Sequence, residues 1–455
     1  MQGKRYWHTL APTKKTSGPA IVHASIRVTD SYRYYVAWLL CGVYTISLMD
    51  RQLVAVLVEP IRKEFALQDW HMGLLSGLAF AAFYTTLGVP LARLADRNNR
   101  VNIITVSLLV WSVFTGLTGI AKTFVHLLIA RIGVAIGEAG CNPAAYSLIG
   151  DYFEARRRAT ALSIFQMGGY IGSFLGLLLG GWVGQTYGWR AAFLFVGLPG
   201  VAIGLLLKLT LRELPRGYSD PVRAVADPPP TMQVLRALWA KSSFRHLSLA
   251  AALHNFAVYG VGNWYAAFLM RSHGMSVAEA GTALAMCTVI GGAAGTYLGG
   301  MLSDRLASRR HDSRYYLWIP AVSLILGFPL SQGVLLFEST TIVIGLITPV
   351  VMFSAAYLAP SITATYGLVG IRERALASAL LLFIINLIGL GLGPLFAGIA
   401  SDYLRQTFLE RGMTEAEALG EGLRWSLRFI VAVNLWSAAH YFIAARTLRE
   451  EEVKA

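Results

Sequence analysis

The amino-acid sequence predicts an all-α membrane protein in which 12 transmembrane helices form two pseudo-symmetric six-helix bundles. Of the 455 residues, 55% are hydrophobic and only 14% are charged, whereas an average soluble chain carries about 25% charged residues. The apolar residues fall into stretches of about 20 residues, the length that a helix needs to cross a bilayer. A short charged motif also occurs once in each half of the chain.

The apolar stretches lack the alternation of strands, and a helix satisfies its own backbone hydrogen bonds, as a bilayer requires. We number the predicted spans 1 to 12 in chain order. They lie at residues 34–58, 72–94, 101–121, 124–150, 159–187, 191–211, 247–270, 278–302, 317–337, 341–369, 375–403 and 423–444.

The segments between the spans define the domain organisation. The linker contains PRGYSDPVRAVADPPP, and proline-rich polar sequence resists helix formation and apolar packing. We predict a cytoplasmic N-terminal tail, a first bundle, a cytoplasmic linker, a second bundle and a cytoplasmic C-terminal tail at residues 1–31, 32–211, 212–245, 246–446 and 447–455.

The net charge of +14 is explained by the distribution of the basic residues. With the N-terminus inside, 28 of the 39 lysines and arginines fall on the inner side and nine on the outer side. This is the positive-inside bias of membrane proteins, so no nucleic-acid partner is needed. We expect a multi-pass protein of a bacterial inner (plasma) membrane with both termini cytoplasmic.

The two halves repeat. PLARLADRNNR follows span 2 and GGMLSDRLASRR follows span 8, so that Asp96 and Asp304 occupy equivalent positions. An arginine cluster precedes a helix of small residues both in EARRRATALSIF and in GIRERALASALLLF. A parallel repeat of this kind places two similar bundles around a cavity at the midplane.

Twelve spans, the linker and the duplicated loop resemble the major facilitator superfamily over residues 32 to 446. The loop motif of that family usually runs Gly-x-Leu-Ala-Asp-Arg-x-Gly-Arg-Arg/Lys. Five residues match it: Leu94, Ala95, Asp96, Arg97 and Arg100. Three depart from it: Ala92, Asn99 and Val101. The second copy supplies the leading glycine as Gly300.

Three further segments resemble the Spinster branch of that superfamily, which comprises transporters of sphingosine phosphate, lysophospholipids and similar amphiphiles. They are MDRQLVAVLVEPIRKEF in span 1, ARIGVAIGEAGCNPAAYSLIGDYF in span 4 and RRRATALSIFQMGGYIGSFLGLLLGG in span 5. The resemblance implies a secondary active transporter of a lipid-like amphiphile that works by alternating access, and not an enzyme.

Four ionisable residues lie within the spans of the first half: Asp50, Arg51, Arg131 and Glu138. Each would cost about 2.5–3.5 kcal/mol facing lipid, so we expect them to face a cavity and to pair. Arg131 and Glu138 are seven residues apart and share one face of span 4. Asp50 and Arg51 point about 100° apart, so they face different partners.

These charges predict proton coupling. A change in the hydration of a carboxylate, or in its distance from an arginine, alters its affinity for a proton. When this affinity differs between the inward-open and outward-open conformations, a proton gradient can favour one of them. We expect Asp50 and Glu138 to bind protons, Arg131 to act as counter-charge, and Arg51 to contact an anionic headgroup or exchange between carboxylates. The Spinster resemblance implies coupling and substrate contact at these positions, Glu138 included. The alternative is a static cluster that fixes helix packing.

The spans of the second half carry almost no charge but offer polar and aromatic side chains. Asn255, Tyr259 and Asn263 recur on one helical face. Single polar residues in a span can also form hydrogen bonds between helices. The predicted substrate-binding residues of this half are His254, Asn255, Tyr259, Asn263, Trp264, Tyr357 and Asn386.

The repeated loop predicts a conformational latch. In the superfamily such loops join the two halves on the cytoplasmic side when the protein opens outward. The alternative is a loop whose arginines merely hold it inside the cell. The predicted latch residues are Asp96, Arg97, Arg100, Asp304 and Arg305.

Other functions remain as alternatives. A proton-coupled carrier of small organic anions or drugs would keep the same fold, because an arginine binds a carboxylate as well as a phosphate. A receptor or scaffold without transport activity is a different class. The sequence contains no nucleophile–base or metal constellation, and we expect no cofactor and no metal. The expected partners are the substrate, protons and membrane lipids, and the chain is expected to be a monomer.

Overall fold

The computed structural model describes residues 28–219, 231–370 and 373–452, and the regular structure in these ranges is helical. The predicted N-terminal tail lies almost wholly outside the described residues, as do residues 220–230 of the linker and 453–455 of the C-terminal tail. The predicted all-α fold is confirmed.

Eleven helices in the described residues are long and apolar enough to cross a membrane. They are Asp30–Val56, Asp69–Arg97, Arg100–Thr118, Phe124–Tyr152, Arg156–Tyr187, Trp189–Thr210, Val277–Arg310, Tyr315–Leu336, Thr340–Gly367, Leu376–Glu410 and Glu415–Glu451. They correspond to predicted spans 1 to 6 and 8 to 12. Helices Ser242–Gly262 and Tyr265–His273 occupy the position of span 7, which is more polar because it contains histidine and asparagine side chains.

Several spans are interrupted, and two short helices lie outside them. Span 1 is followed by helix Val58–Glu64, and the linker contains helix Thr231–Ala240. Wider π-helical turns occur at Leu74–Leu78 in span 2 and Asn386–Leu390 in span 11. Such turns often occur at functional sites, and these two lie where spans 2 and 11 pass each other.

Span 12 ends at Glu451, beyond the predicted end of the second bundle at residue 446. The carboxylate of Glu451 accepts hydrogen bonds from the backbone N–H groups of Ser242 and Ser243, both at 2.9 Å. A carboxylate at a helix N-terminus satisfies unpaired N–H groups and complements the helix dipole. This contact extends span 12 and places its end beside the linker.

The halves meet through small residues. A Cβ added to Gly77 in span 2 would lie 2.8 Å from the carbonyl oxygen of Gly391 in span 11. A Cβ added to Gly281 in span 8 would lie 3.1 Å from the Cα of Gly181 in span 5. Only glycine permits backbones to approach this closely. Spans 2 and 11, and spans 5 and 8, therefore form the contact between the bundles.

Candidate functional site

Asp50 is held by residues from two other spans of the first half. Its Oδ2 accepts a hydrogen bond from Arg131 Nη1 at 2.9 Å, and its Oδ1 accepts one from Thr115 Oγ1 at 2.7 Å. The side chain of Asp50 is 1% exposed. Both carboxylate oxygens have partners, so this pair compensates much of the cost of burying two charges.

Glu138 is paired on one oxygen only. The Nε and Nη2 atoms of Arg51 donate to Oε2 of Glu138 at 2.9 and 2.6 Å. The other oxygen, Oε1, is buried and has no hydrogen-bond partner among the described residues. A buried acceptor without a partner destabilises the folded protein. Protonation of Oε1 would remove the negative charge that it shares with Oε2. The adjacent residues Asp50 and Arg51 therefore face different partners, as the helix geometry predicts.

Two aromatic residues of span 2 surround the arginines, and the sequence analysis did not identify them. The guanidinium carbon of Arg51 lies 4.6 Å from the ring centres of both Phe80 and Tyr84. That of Arg131 lies 4.4 Å from the ring centre of Phe80. A desolvated cation–π contact contributes about 2 kcal/mol. The spacing of four residues between Phe80 and Tyr84 was the available signal.

A cavity of about 290 Å³ lies between the halves. The first half contributes Arg51 and Arg131, the two side chains with a permanent charge among the lining residues. The second half contributes a larger, mixed surface of polar and apolar groups. Its apolar lining includes Leu284, Leu324, Val350, Val351, Leu390 and Val431. A charged wall thus faces a largely neutral one.

The structure divides the predicted substrate residues of the second half into two groups. Four line the cavity: His254, Tyr259, Asn263 and Tyr357. Three do not: Asn255, Trp264 and Asn386. Asn255 Nδ2 donates to the carbonyl of Ile385 at 3.1 Å, and Trp264 Nε1 donates to that of Pro394 at 3.1 Å. Asn255 and Trp264 connect span 7 to span 11, whereas Asn386 begins the π-helical turn of span 11.

His254 connects three spans of the second half. Its Nδ1 lies 2.8 Å from Asn434 Oδ1, and its Nε2 lies 2.9 Å from the carbonyl oxygen of Ser354. Asn434 and Ser354 also line the cavity. The sequence analysis did not select them, because an isolated asparagine or serine in an apolar span carries no recognisable pattern.

A buried ion-pair cluster joins the halves on the side opposite the linker. Arg271 donates to both oxygens of Asp69 at 2.7 Å and to Oε2 of Glu59 at 2.8 Å. Asp402 accepts hydrogen bonds from the backbone N–H groups of Asp69 and Trp70 at 3.0 and 2.8 Å. We call Glu59, Asp69, Arg271 and Asp402 the seal. The sequence analysis missed the seal because Glu59, Asp69 and Arg271 lie just beyond the predicted spans, whereas Asp402 lies one residue before the end of span 11.

The pKa of Glu59 reflects this cluster. Burial by itself would raise the pKa of this carboxyl, but the charges of Arg271 and Arg62 outweigh burial and lower the pKa to about 2. Glu59 is therefore ionised at every physiological pH. The ion pair of Glu59 with Arg271 therefore does not depend on a proton in this range.

The predicted latch residues lie on the linker side, away from the seal. Asp96, Arg97 and Arg305 are exposed, and no hydrogen bond or ion pair joins them to other described residues. Asp304 accepts a hydrogen bond from Tyr316 of its own half at 2.9 Å. These four residues do not join the halves in this conformation, so their latch role stays a prediction.

Arg100 has a different role from the predicted one in this conformation. Its side chain is fully buried and pairs with Asp151 and with Glu213, the latter at 2.6 Å. Its Nη2 also donates to the carbonyl of Leu214 at 2.7 Å. Two carboxylates thus draw this arginine into the first half, where it attaches the beginning of the linker.

The described residues include no group of three or more histidine, cysteine, aspartate or glutamate side chains that could hold a metal. Cys41, Cys141 and Cys287 are buried free thiols.

Comparison with known proteins identifies relatives over nearly the whole chain. The profile of the Major Facilitator Superfamily matches residues 40–327. An MFS-type efflux pump of Mycolicibacterium smegmatis is 32% identical over 422 residues, which cover 92% of this chain and 95% of the pump. The sphingosine-1-phosphate transporter SPNS2 of Mus musculus is 26% identical over 427 residues, 90% of this chain and 77% of the transporter.

A solved structure shows the same fold. It is the crystal structure of a bacterial homologue of the human lysosomal transporter Spinster in an inward-facing, unoccupied conformation. The two structures share a TM-score of 0.88 and 34% sequence identity, over 94% of this chain and all of that one.

Proposed function

The chain belongs to the Spinster-like branch of the major facilitator superfamily, whose members are transporters and not enzymes, and we propose that it couples proton movement to the transport of a lipid-like anionic amphiphile. Lysophospholipids and sphingosine-phosphate-like molecules are the cargo class. Transport proceeds by alternating access, in which the two bundles expose the cavity to each side in turn.

The observation that carries the proposal is the free oxygen of Glu138. Oε1 is buried without a hydrogen-bond partner among the described residues, while Oε2 holds Arg51 beside the cavity. A proton added at Oε1 neutralises the carboxyl and weakens its hold on Arg51, because the ion pair is lost and only the donor of these hydrogen bonds keeps its charge. Arg51 is then free to bind an anionic headgroup in the cavity.

Proton binding and substrate binding are coupled by this competition. The carboxylate of Glu138 and the headgroup of the substrate are alternative partners for one guanidinium. A proton on Glu138 favours the substrate, and by linkage a bound substrate favours the proton. Asp50 acts through Arg131 in the same way, with both of its oxygens engaged in this conformation.

The neutral wall of the second half suits the rest of an amphiphile. Leu324, Val350 and Val351 offer apolar contact to an acyl chain, and Tyr259 and Asn263 offer polar contact near the headgroup. Apolar pockets with a few well-placed polar groups are typical of small-molecule sites.

Uptake of radiolabelled lysophosphatidylglycerol into proteoliposomes tests the proposal. Its phosphodiester keeps one negative charge between pH 5 and 8, so the substrate itself does not titrate. We expect an imposed pH gradient to drive accumulation, and Glu138→Gln to reduce the gradient-driven part at least tenfold. The amide keeps an acceptor for Arg51 but cannot release a proton. Asp50→Asn should act in the same direction.

Glu421→Gln is the matched control, because Glu421 pairs with Arg424 within span 12 and does not line the cavity. This variant should keep gradient-driven uptake. If accumulation in the parent protein ignores the pH gradient, or if Glu138→Gln and Asp50→Asn accumulate substrate like the parent, the coupling proposal is wrong.

A second cargo class fits the same charged wall. Arg51 and Arg131 line the cavity, and an arginine binds a carboxylate as well as a phosphate, which supports a proton-coupled carrier of small organic anions or drugs as the alternative. Competition separates the two classes. A dicarboxylate that blocks lysophosphatidylglycerol uptake at lower concentration than a second lysolipid would favour the small-anion cargo.

The orientation of the chain forms part of the proposal. The excess of basic residues on the side of the linker and termini supports a cytoplasmic location for that side in a bacterial inner membrane. The seal then lies at the outer face. Labelling of a cysteine introduced at the exposed Lys122, near the seal, by a membrane-impermeant reagent in whole cells tests this orientation.

A further inference from the structure

Phe80 of span 2 contacts both arginines of the charged wall. Its side chain is fully buried, and the guanidinium carbons of Arg51 and Arg131 lie 4.6 and 4.4 Å from the centre of its ring. The sum of these two distances is the largest possible separation of the two guanidinium carbons. Each arginine is paired with one carboxylate, so Phe80 connects two ion pairs. We call Asp50, Arg51, Arg131 and Glu138 the charge cluster.

The number of bound protons determines the net charge of the charge cluster. With both carboxyls ionised, two negative and two positive charges sum to zero. One proton leaves one guanidinium without its counter-charge, and a second proton leaves both without theirs. A buried charge without a partner is strongly unfavourable, so a second proton is opposed more strongly than the first.

Repulsion between the two arginines determines how much weaker the second proton binds. Two unit charges about 9 Å apart, at an effective dielectric constant of about 20, repel strongly enough to lower the affinity for the second proton by about tenfold or more. Phe80 is buried, so no solvent at its ring screens this repulsion. Protons on Asp50 and on Glu138 are therefore alternatives.

The other titratable groups beside the charge cluster do not change its net charge. They are three phenols and one thiol, which are uncharged near pH 7. These groups belong to Tyr44, Tyr84, Tyr259 and Cys141. Among the described residues, the ion pairs of the charge cluster involve its own four members. The charge of this part of the wall thus depends on the two carboxyls.

An anionic headgroup restores the charge balance that a proton disturbs. Arg51 and Arg131 both line the cavity, so a monoanion bound there lies beside the guanidinium that protonation has released. The charge cluster with one proton and one monoanion is again neutral, as it is with neither. A monoanion with two protons leaves one positive charge uncompensated, and a monoanion without a proton leaves one negative charge.

We propose that Phe80 joins the two ion pairs into a single unit that holds one proton at a time, so that one proton accompanies each monoanionic headgroup. This role rests on the proposed function and adds its stoichiometry and a positioning residue. The ring of Phe80 attracts both guanidiniums, which keeps each close to the other whether or not its carboxylate is ionised. Asp50 and Glu138 are then alternative sites for the same proton.

The number of protons taken up with each bound lysophosphatidylglycerol tests this stoichiometry. It is measured with purified protein in weakly buffered solution that contains a pH indicator, between pH 7.5 and 5.5. We expect a maximum of one proton per bound lipid. Glu138→Gln should bind the lipid with an uptake near zero, because the unpaired Arg51 excludes a proton from Asp50. A maximum near two in the parent protein, or an uptake that persists in Glu138→Gln, overturns the inference.

A second substitution distinguishes an excluded proton from a carboxyl that never binds one. Arg51→Met added to Glu138→Gln removes the unpaired charge, while Arg131 remains to hold the headgroup. Asp50 should now take up the proton, so the uptake should return toward one per bound lipid. An uptake that stays near zero would show that Asp50 is not an alternative site, and it would overturn the inference.

Phe80→Leu tests the contribution of the ring. In the Glu138→Gln background, leucine removes the attraction for both guanidiniums and admits solvent between them, so at least about one third of the parent's proton uptake should return. Phe244→Leu is the matched control, because Phe244 is also fully buried but packs in an apolar core of the second half. No recovery with Phe80→Leu, or an equal recovery with Phe244→Leu, overturns the role of Phe80.

A measurement without cargo separates this inference from the proposed function. Infrared difference spectra between pH 8 and pH 4.5 show the carbonyl band of a protonated carboxyl, and the Asp50 band is assigned by its loss when Asp50→Asn is added. We expect this band in the variant that combines Glu138→Gln with Arg51→Met, but not in Glu138→Gln alone. Equal spectra of the two variants overturn the inference. If lysophosphatidylglycerol binds to no variant, the proposed cargo is wrong, and the infrared comparison still decides whether the two carboxyls are alternatives.

Discussion

The two halves of the molecule build the same six-helix bundle but line the shared cavity with different chemistry. The first half buries two arginines and two carboxylates, paired as Asp50 with Arg131 and Arg51 with Glu138. The second half buries neutral groups, including Asn255, which bonds to a tyrosine and a backbone carbonyl. Buried charges are tolerated when they pair, and pairing is what makes their protonation consequential.

At the seal both halves contribute charged groups. The first half supplies Glu59 and Asp69, and the second half supplies Arg271 and Asp402. A pair confined to one half can respond to a proton without separating the bundles. Ion pairs shared between the halves must instead break when the closed side opens. Under the proposed coupling, a charge pair within one half senses protons, and a pair shared between the halves holds a conformation.

The largest expected effect is on the free energy of unfolding, which we compare between a buried charged site of the first half and a buried neutral site of the second half. Asp50→Ala leaves Arg131 buried without its carboxylate and should destabilise the protein by about 3–5 kcal/mol. Asn255→Ala, at a site of similar burial, removes neutral hydrogen bonds and should cost about 1–3 kcal/mol. Thermal unfolding of the purified proteins compares the two.

Combining Asp50→Asn with Arg131→Met should recover part of the loss, because no uncompensated charge remains. Equal losses for Asp50→Ala and Asn255→Ala would show that the buried charges of the first half and the buried neutral groups of the second half do not differ in energetic terms.

An intermediate effect is expected at the seal. Arg271→Gln removes the cation that the second half offers to Glu59 and Asp69 and should raise the population open on that side at least tenfold, since the lost pairs stabilise only the closed arrangement. Spin labels at Lys122 and Met413, one in each half, report the separation by pulsed electron resonance. Arg428→Gln is the control, because Arg428 bonds to Gln332 of its own half; a similar widening in this variant would argue against a specific seal.

The smallest effect is expected from acid at the seal. The folded-state pKa of Glu59 is about 2, below its ordinary value of 4.5, so its stabilising contribution is complete above pH 4.5 and is lost only as the pH falls toward 2. The distance between the labels at Lys122 and Met413 should therefore not change between pH 7.5 and 5.5 without substrate. A widening in this range would place a proton-sensitive group in the seal.

Part of the site could be predicted from helix geometry and part could not. Residues seven apart share a face and adjacent residues do not, which was enough to expect Asp50 and Arg51 on different partners. The rings of Phe80 and Tyr84 share one helical face, but that spacing does not show which neighbouring span the face contacts. Arg100 was assigned to a latch by its motif, yet Asp151 and Glu213, both distant in sequence, bury it within the first half.

The sequence by itself determined the class of protein, the positions of most spans, the internal repeat and the four charges of the first half. Each follows from local properties: hydropathy over about 20 residues, helical periodicity and the cost of charge in lipid. Only the tertiary structure decided which oxygen of Glu138 lacks a partner, which side chains reach the cavity and which ions form the seal. These depend on contacts between residues far apart in the chain, where a rotation of one helix changes every partner.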